Sequence, residues 1–155
     1  MWCRFGLKKI DITIGIPIRP TLAERLSSGK EIVEKLGNCL VEAKYDGFRL
    51  AVHKNKNEVT IFSRNQENMT HMFPEVIQAV KKQINIEKAI FEGEALAFNE
   101  EANEFYPFQV TIQRKRKHDV QSYSEKYPLR LFAFAKALHD RVPQEFLLKW
   151  YLKVG

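Results

Sequence analysis

Cysteine is nearly missing from this 155-residue chain, and the two present, Cys3 and Cys39, stand far apart. That excludes a metal knuckle or a disulfide framework, and the four scattered histidines offer no cluster in their place. No apolar run approaches the roughly 20 residues that a membrane-spanning helix needs. The start, Met-Trp-Cys-Arg-Phe-Gly-Leu-Lys-Lys, lacks a secretory layout, so a cytoplasmic location without membrane contact is expected. Glycine is sparse, with seven in all. Gly29-Lys30 invites a phosphate-loop reading, but Glu24 occupies the place of the partner glycine five residues earlier, and no other stretch supports such a loop.

What remains is the composition of one globular domain, 45% hydrophobic and 28% charged. The net charge of +6 favours a polyanionic partner, although an excess of this size also serves solubility. Six basic and two acidic residues between Pro107 and Arg130 supply +4 of it, and Arg114, Lys115, Arg116 and Lys117 are contiguous. Such a run is either a solvated helix face or a contact for a DNA backbone.

The chemistry is expected at Val-Glu-Ala-Lys-Tyr-Asp-Gly-Phe-Arg, residues 41–49. Leu40 to Tyr45 has the pattern of a strand. Period-two alternation then puts Glu42, Lys44 and Asp46 on one face, with Gly47 breaking the strand. A solvated face of paired charges is the ordinary reading. A second strand, Lys88 to Asn99, carries Glu92 and Glu94 on an otherwise apolar face, and buried carboxylates must meet a cation, a metal or water. If the two faces border one another, they form the walls of one cleft.

The full string Glu-x-Lys-Tyr-Asp-Gly-x-Arg resembles the nucleotidyl-transfer motif of ATP-dependent DNA ligases of the archaeal and eukaryotic type, which share chemistry with RNA ligases and capping enzymes. The resemblance implies that Lys44 attacks the α-phosphate of ATP and becomes lysyl-AMP. It likewise implies that Glu42 recognises adenine, that Arg49 contacts ribose, and that Asp46 and Gly47 shape the turn presenting the lysine. Ser63-Arg64-Asn65 is similar to the next motif and implies a phosphate contact for Arg64. Phe-Glu-Gly-Glu-Ala-Leu-Ala-Phe resembles another. It implies that Glu94 contacts ribose and helps hold Mg2+ or Mn2+, while Glu92 stands where the family often has Asp. Phe134 takes an aromatic position against the base. A lysine is an ammonium without a lone pair at neutral pH, so this chemistry further requires desolvation or a nearby cation.

In chain order, residues 1–20 resemble a linker-like lead-in, 21–135 a partial adenylation domain, and 136–155 an unmatched tail. In that tail, Phe146, Leu147, Trp150 and Tyr151 favour an amphipathic helix. Ser27 or Ser28 caps a helix to Leu36, closed by Gly37, with Ile32, Val33 and Leu36 inward. Phe48–His53 and Glu58–Phe62 make a hairpin, Met69–Gln83 a helix capped by Thr70, and Pro107 opens a helix carrying the basic run. The expected fold class is α+β, mainly antiparallel sheets flanked by helices.

Three functions remain open. One is a shortened ligase adenylation domain that uses ATP to seal nicked double-stranded DNA in replication, repair or recombination. It is expected to be slow or inactive because the family's last two adenylation motifs are not found. Another is a non-catalytic nucleotide- or DNA-binding remnant. The third is an interaction protein whose truncated sheet and tail are covered by a second copy or a helper protein.

Overall fold

The computed structural model describes residues 13–20, 22–39, 41, 43–114, 119–138 and 150–152, the side chains of 134–138 and 150–152 excepted. Its centre is an antiparallel sheet. β1 (Phe48–Asn55) and β2 (Glu58–Ser63) form the expected hairpin, turned at Lys56, whose φ of 53° suits a two-residue connection. β3 (Lys88–Asn99) keeps the bounds read from the sequence. β4 (Glu104–Phe105) returns against its end, and β5 (Leu129–Leu138) and β6 (Trp150–Leu152) complete the order β2-β1-β3-β5-β6, with β4 attached to β3.

Alternation divides this sheet into two unlike faces. Leu50 and Val52 of β1, Val59 and Ile61 of β2, Phe91, Ala95 and Ala97 of β3, and Leu129 and Leu131 of β5 share one face. They are buried with Phe73 and with Val76 and Val80 of α2 (Pro74–Gln83) in a single core cluster. Each Val, Leu, Ile or Phe side chain withdrawn from water contributes about 1.5–3 kcal/mol. α3 (Phe108–Gln113) also packs on this assembly, and its Thr111 Oγ1 accepts the Ala97 N–H at 3.1 Å. α4 (Val120–Lys126) follows, with the Asp119 side chain accepting from the Ser122 N–H.

α1 (Gly29–Leu36) has the capping read from the sequence. Ser28 Oγ accepts the Glu31 N–H at 3.2 Å, the Glu31 carboxylate accepts from Ser27, and Gly37 closes the helix at φ 66°. Of the three residues expected inward, only Ile32 is half-buried. Val33 and Leu36 are exposed and no residue of α1 is buried, because no described element packs over it. A short 3₁₀ turn, Thr70–Met72, precedes α2 where one helix was expected. Thr70 Oγ1 is engaged with Asn68 and the Ile61 N–H instead of capping α2, which Pro74 opens.

Two further expectations are corrected. Val41 and Ala43–Asp46 form no strand, because no strand is paired with them, and β1 starts only at Phe48. Trp150–Leu152 is a strand rather than a helical face. Its backbone pairs with Leu131–Ala133 and extends the sheet edge that β5 would otherwise leave open.

Candidate functional site

The second face of the sheet carries the charge. Register sets Arg49 opposite Glu94, Ala51 opposite Glu92, and Glu94 opposite Phe132, so Glu92 and Glu94 stand between the two neighbouring strands. The carboxylates do different things. Glu92 is ion-paired with Arg49. Glu94 turns to the motif segment, where its Oε1 accepts the Gly47 N–H at 3.1 Å. Burial pushes the Glu94 carboxyl above its ordinary range, against the Gly47 hydrogen bond and the positive charges of Arg49 and Lys44. Lys44 and Asp46 are exposed, and both are close enough for their charges to act on Glu94.

Gly47 is required by packing rather than by torsion. A Cβ there would run into the Ala95 carbonyl oxygen and stand 2.9 Å from Leu96 Cγ. The glycine lets the motif backbone lie directly on β3. Gly93, between the two glutamates, has the same constraint on the other side, where a Cβ would lie 2.6 Å from the Phe132 carbonyl oxygen.

An aromatic shelf borders this contact. Tyr45 stacks on Phe132 with ring centroids 4.2 Å apart and planes 22° from parallel, and Phe105 meets Phe132 edge-on at 5.6 Å. Sequence reasoning missed Tyr45, Phe105 and Phe132. The available signal was the aromatic spacing in β5, where Phe132 precedes Phe134 by one period of the strand.

Arg64 lies exposed just beyond β2. The preceding Ser63 pairs with Leu50, so Arg64 is at the same end of the sheet as the Lys44 segment. The lead-in is not a free linker. The Gly15 N–H donates to Nδ1 of buried His53 at 2.9 Å, and Gln66 Nε2 donates to the Pro17 carbonyl at 3.0 Å. Burial lowers the His53 pKa, against an opposing pull from Glu92.

Arg114 is a correction to the expected DNA-contacting run, for this one residue. It is fully buried, ion-paired with Glu75 of α2, and donates to the carbonyls of Met72 and Tyr127, each at 3.2 Å. Its guanidinium also lies 5.8 Å from the ring centroids of Phe73 and Tyr123. A planar fork that ties α2, the segment before it and the end of α4 together is structural. Lys115, Arg116, Lys117 and Glu42 lie outside the described residues. So does the Phe134 side chain, although the Phe134 backbone belongs to β5.

No group of three metal-ligating side chains occurs among the described residues. A magnesium or manganese ion held by one or two carboxylates and completed by substrate phosphates and water does not need one. Glu94 supplies one such carboxylate beside the motif segment. No described helix is long and apolar enough to cross a membrane.

Residues 20–146 match the family model described as ATP dependent DNA ligase domain. The chain is 56% identical over 129 residues to a "Probable DNA ligase" of Dictyoglomus turgidum, covering 83% of this chain and 22% of that protein. It is 50% identical over 130 residues to a "DNA ligase" of Hyperthermus butylicus, covering 83% and 21%. Against that of Saccharolobus solfataricus it is 45% identical over 138 residues, covering 88% and 23%. The chain thus spans about a fifth of the length of the curated relatives it matches. Among solved structures, "mycobacterial DNA ligase D complexed with ATP and MES" superposes over 61% of this chain and 28% of that chain, with a TM-score of 0.45 and 21% identity.

Proposed function

This chain belongs to the ATP-dependent DNA ligase family, and from that premise we propose that it is part of a cytoplasmic ligase's adenylation domain, with Lys44 as the nucleophile. The observation that carries the reading is the bond between the Gly47 N–H and Glu94. It brings together two motifs nearly fifty positions apart and sets a carboxylate beside the lysine segment.

In the proposed step the Lys44 Nζ, after giving its proton to solvent, forms a bond to the α-phosphorus of ATP. The bond from that phosphorus to the bridging oxygen breaks, and pyrophosphate leaves. A divalent ion held by Glu94 and the phosphates would supply neutralisation of the charge on the leaving group. Arg64 contacts phosphate with its planar fork. Glu42 serves the adenine edge, Phe134 the base, and Arg49 the ribose, with Asp46 and Glu92 supporting the turn and Arg49. The AMP then passes to the 5′-phosphate of a nick, and the 3′-hydroxyl displaces it. Lys115, Arg116 and Lys117 remain proposed contacts to the DNA backbone without Arg114. In this reading 21–135 is the adenylation unit and 1–20 its lead-in.

Intact mass after incubation with ATP and magnesium tests the proposal. One added AMP, accumulating slowly over a prolonged incubation, is expected in the wild type and none in Lys44→Ala. A folded wild type that gains no mass refutes it.

A second reading, a nucleotide- or DNA-binding unit without turnover, is favoured by one observation: Arg49 is already ion-paired with Glu92. DNA binding unchanged in Lys44→Ala, together with no AMP adduct, would select it. The exposed Ile16, Ile18, Leu22, Val33 and Leu36 supply surface for a second copy or a helper protein. Sedimentation against concentration tests that variant of the reading.

A further inference from the structure

We infer that Arg19, in the lead-in, is a phosphate-binding residue that works as a pair with Arg64. The inference deepens the proposed function, since it extends the phosphate contact already proposed for Arg64 to a residue from outside the matched motifs.

The lead-in is fastened at two points, Gly15 to His53 on β1 and Pro17 to Gln66 in the turn after β2. The second of these is two residues from Arg64 in sequence and two from Arg19. Chain connectivity therefore delivers both arginines to one place, and they line a surface cleft of about 460 Å³ with Pro20, Leu22 and Asn65.

The lining suits a particular ligand. Both guanidiniums are exposed, and neither has an ion pair or hydrogen bond to another described residue. Two like charges brought to one cleft without a carboxylate among its described lining residues repel one another, and an anion relieves that repulsion. Pro20 and Leu22 supply an apolar floor, and Leu22 is 74% exposed, so it has surface left to cover. Paired forks over an apolar floor fit a phosphate carried on a sugar better than a free inorganic ion. Such a phosphate comes either from a nucleotide or from a polynucleotide backbone. Arg64 is at the Lys44 end of the sheet, so either source would approach from the same end as the proposed reaction centre.

The test is equilibrium binding, which does not depend on AMP transfer. Wild type, Arg19→Ala, Arg19→Lys and Arg25→Ala are titrated in parallel with ATP and with a fluorescent 5′-phosphorylated nicked duplex. Arg25 is another exposed arginine of the same segment that does not line the cleft, so its removal controls for net charge. Loss of a charge-assisted contact is expected to weaken binding by about tenfold or more in Arg19→Ala. Arg25→Ala should change it less than about twofold, as an exposed charge in water does. Arg19→Lys should recover part of the loss by restoring charge without the fork. Loss for ATP alone assigns the cleft to the nucleotide phosphates. Loss for the duplex, with the slope of log K against log salt reduced by about one, assigns it to the polynucleotide. Equal behaviour of Arg19→Ala and Arg25→Ala overturns the inference, as does a folded wild type that binds neither ligand. An Arg19 effect without any AMP adduct on Lys44 would refute the catalytic reading and leave this one standing.

Discussion

Replacing Arg114 by methionine separates a structural arginine from a DNA-binding one. In the fold this guanidinium is fully buried, pairs with Glu75, and satisfies the carbonyls of Met72 and Tyr127. Methionine fills most of the volume but leaves the Glu75 carboxylate, itself only 15% exposed, without its cation. Breaking one side of a buried pair costs about 3–5 kcal/mol. At roughly 2–4 °C per kcal/mol for a domain of this size, the expected fall in Tm is about 6–20 °C. The loss has a pH signature. Burial already raises the Glu75 pKa from its usual 4.5 although Arg114 pulls it down, and without Arg114 it rises further. A group whose folded-state pKa is raised contributes its stability below the unfolded value and loses it as pH rises through the folded one. The deficit of Arg114→Met against wild type should therefore be largest near neutral pH and shrink towards pH 4.5. Adding Glu75→Gln should return about 1–3 kcal/mol by removing the unpaired charge. Calorimetry across pH is the assay. A Tm within about 2 °C of wild type at pH 7, accompanied by weaker DNA binding, would refute the burial argument and restore Arg114 to the surface.

Other outcomes follow from single contacts. Gly47→Ala should cost about 1–3 kcal/mol in chemical denaturation, since the new methyl group meets the Ala95 carbonyl, and it should abolish any AMP adduct on Lys44 by shifting the motif. Glu94→Gln should raise the Tm at pH 7, because the raised carboxyl is a cost to the fold once ionised; the gain should vanish below pH 4.5, and unchanged AMP transfer would count against Glu94 as a metal ligand. His53 has a lowered pKa, so the stability it contributes is present above its unfolded value of 6.5 and lost as pH falls through the folded one. Protonation at Nδ1 also removes the acceptor for the Gly15 N–H, and amide exchange at Gly15 should lose protection over that range before the sheet does. Phe73→Ala should cost about 3–5 kcal/mol by opening the core under α2, measured by denaturant titration.

Local signals sufficed where a residue's neighbours in sequence decide its structure. The Ser28 cap and Gly37 stop of α1, the hairpin of β1 and β2, and the full extent of β3 were legible because capping, turn chemistry and alternation act over a few residues. Lys44, Arg64 and Glu94 were singled out by the resemblance of their motifs to those of the ligase family, and the structure sets Lys44 within electrostatic reach of Glu94. Other features depended on partners distant in the chain. The motif around Lys44 alternates like a strand but has no strand beside it, and instead lies on β3 through Gly47. Trp150–Leu152 has a helical pattern, yet the open edge of β5 offered backbone hydrogen bonds that its own periodicity does not encode. Arg114 sits at the head of a basic run, and only the arrival of Glu75 from another helix turned it inward. Local propensity and motif order are written in the sequence by itself. Which charges are buried, paired or left facing solvent was decided by the tertiary structure, because desolvation and pairing depend on what the fold brings across space.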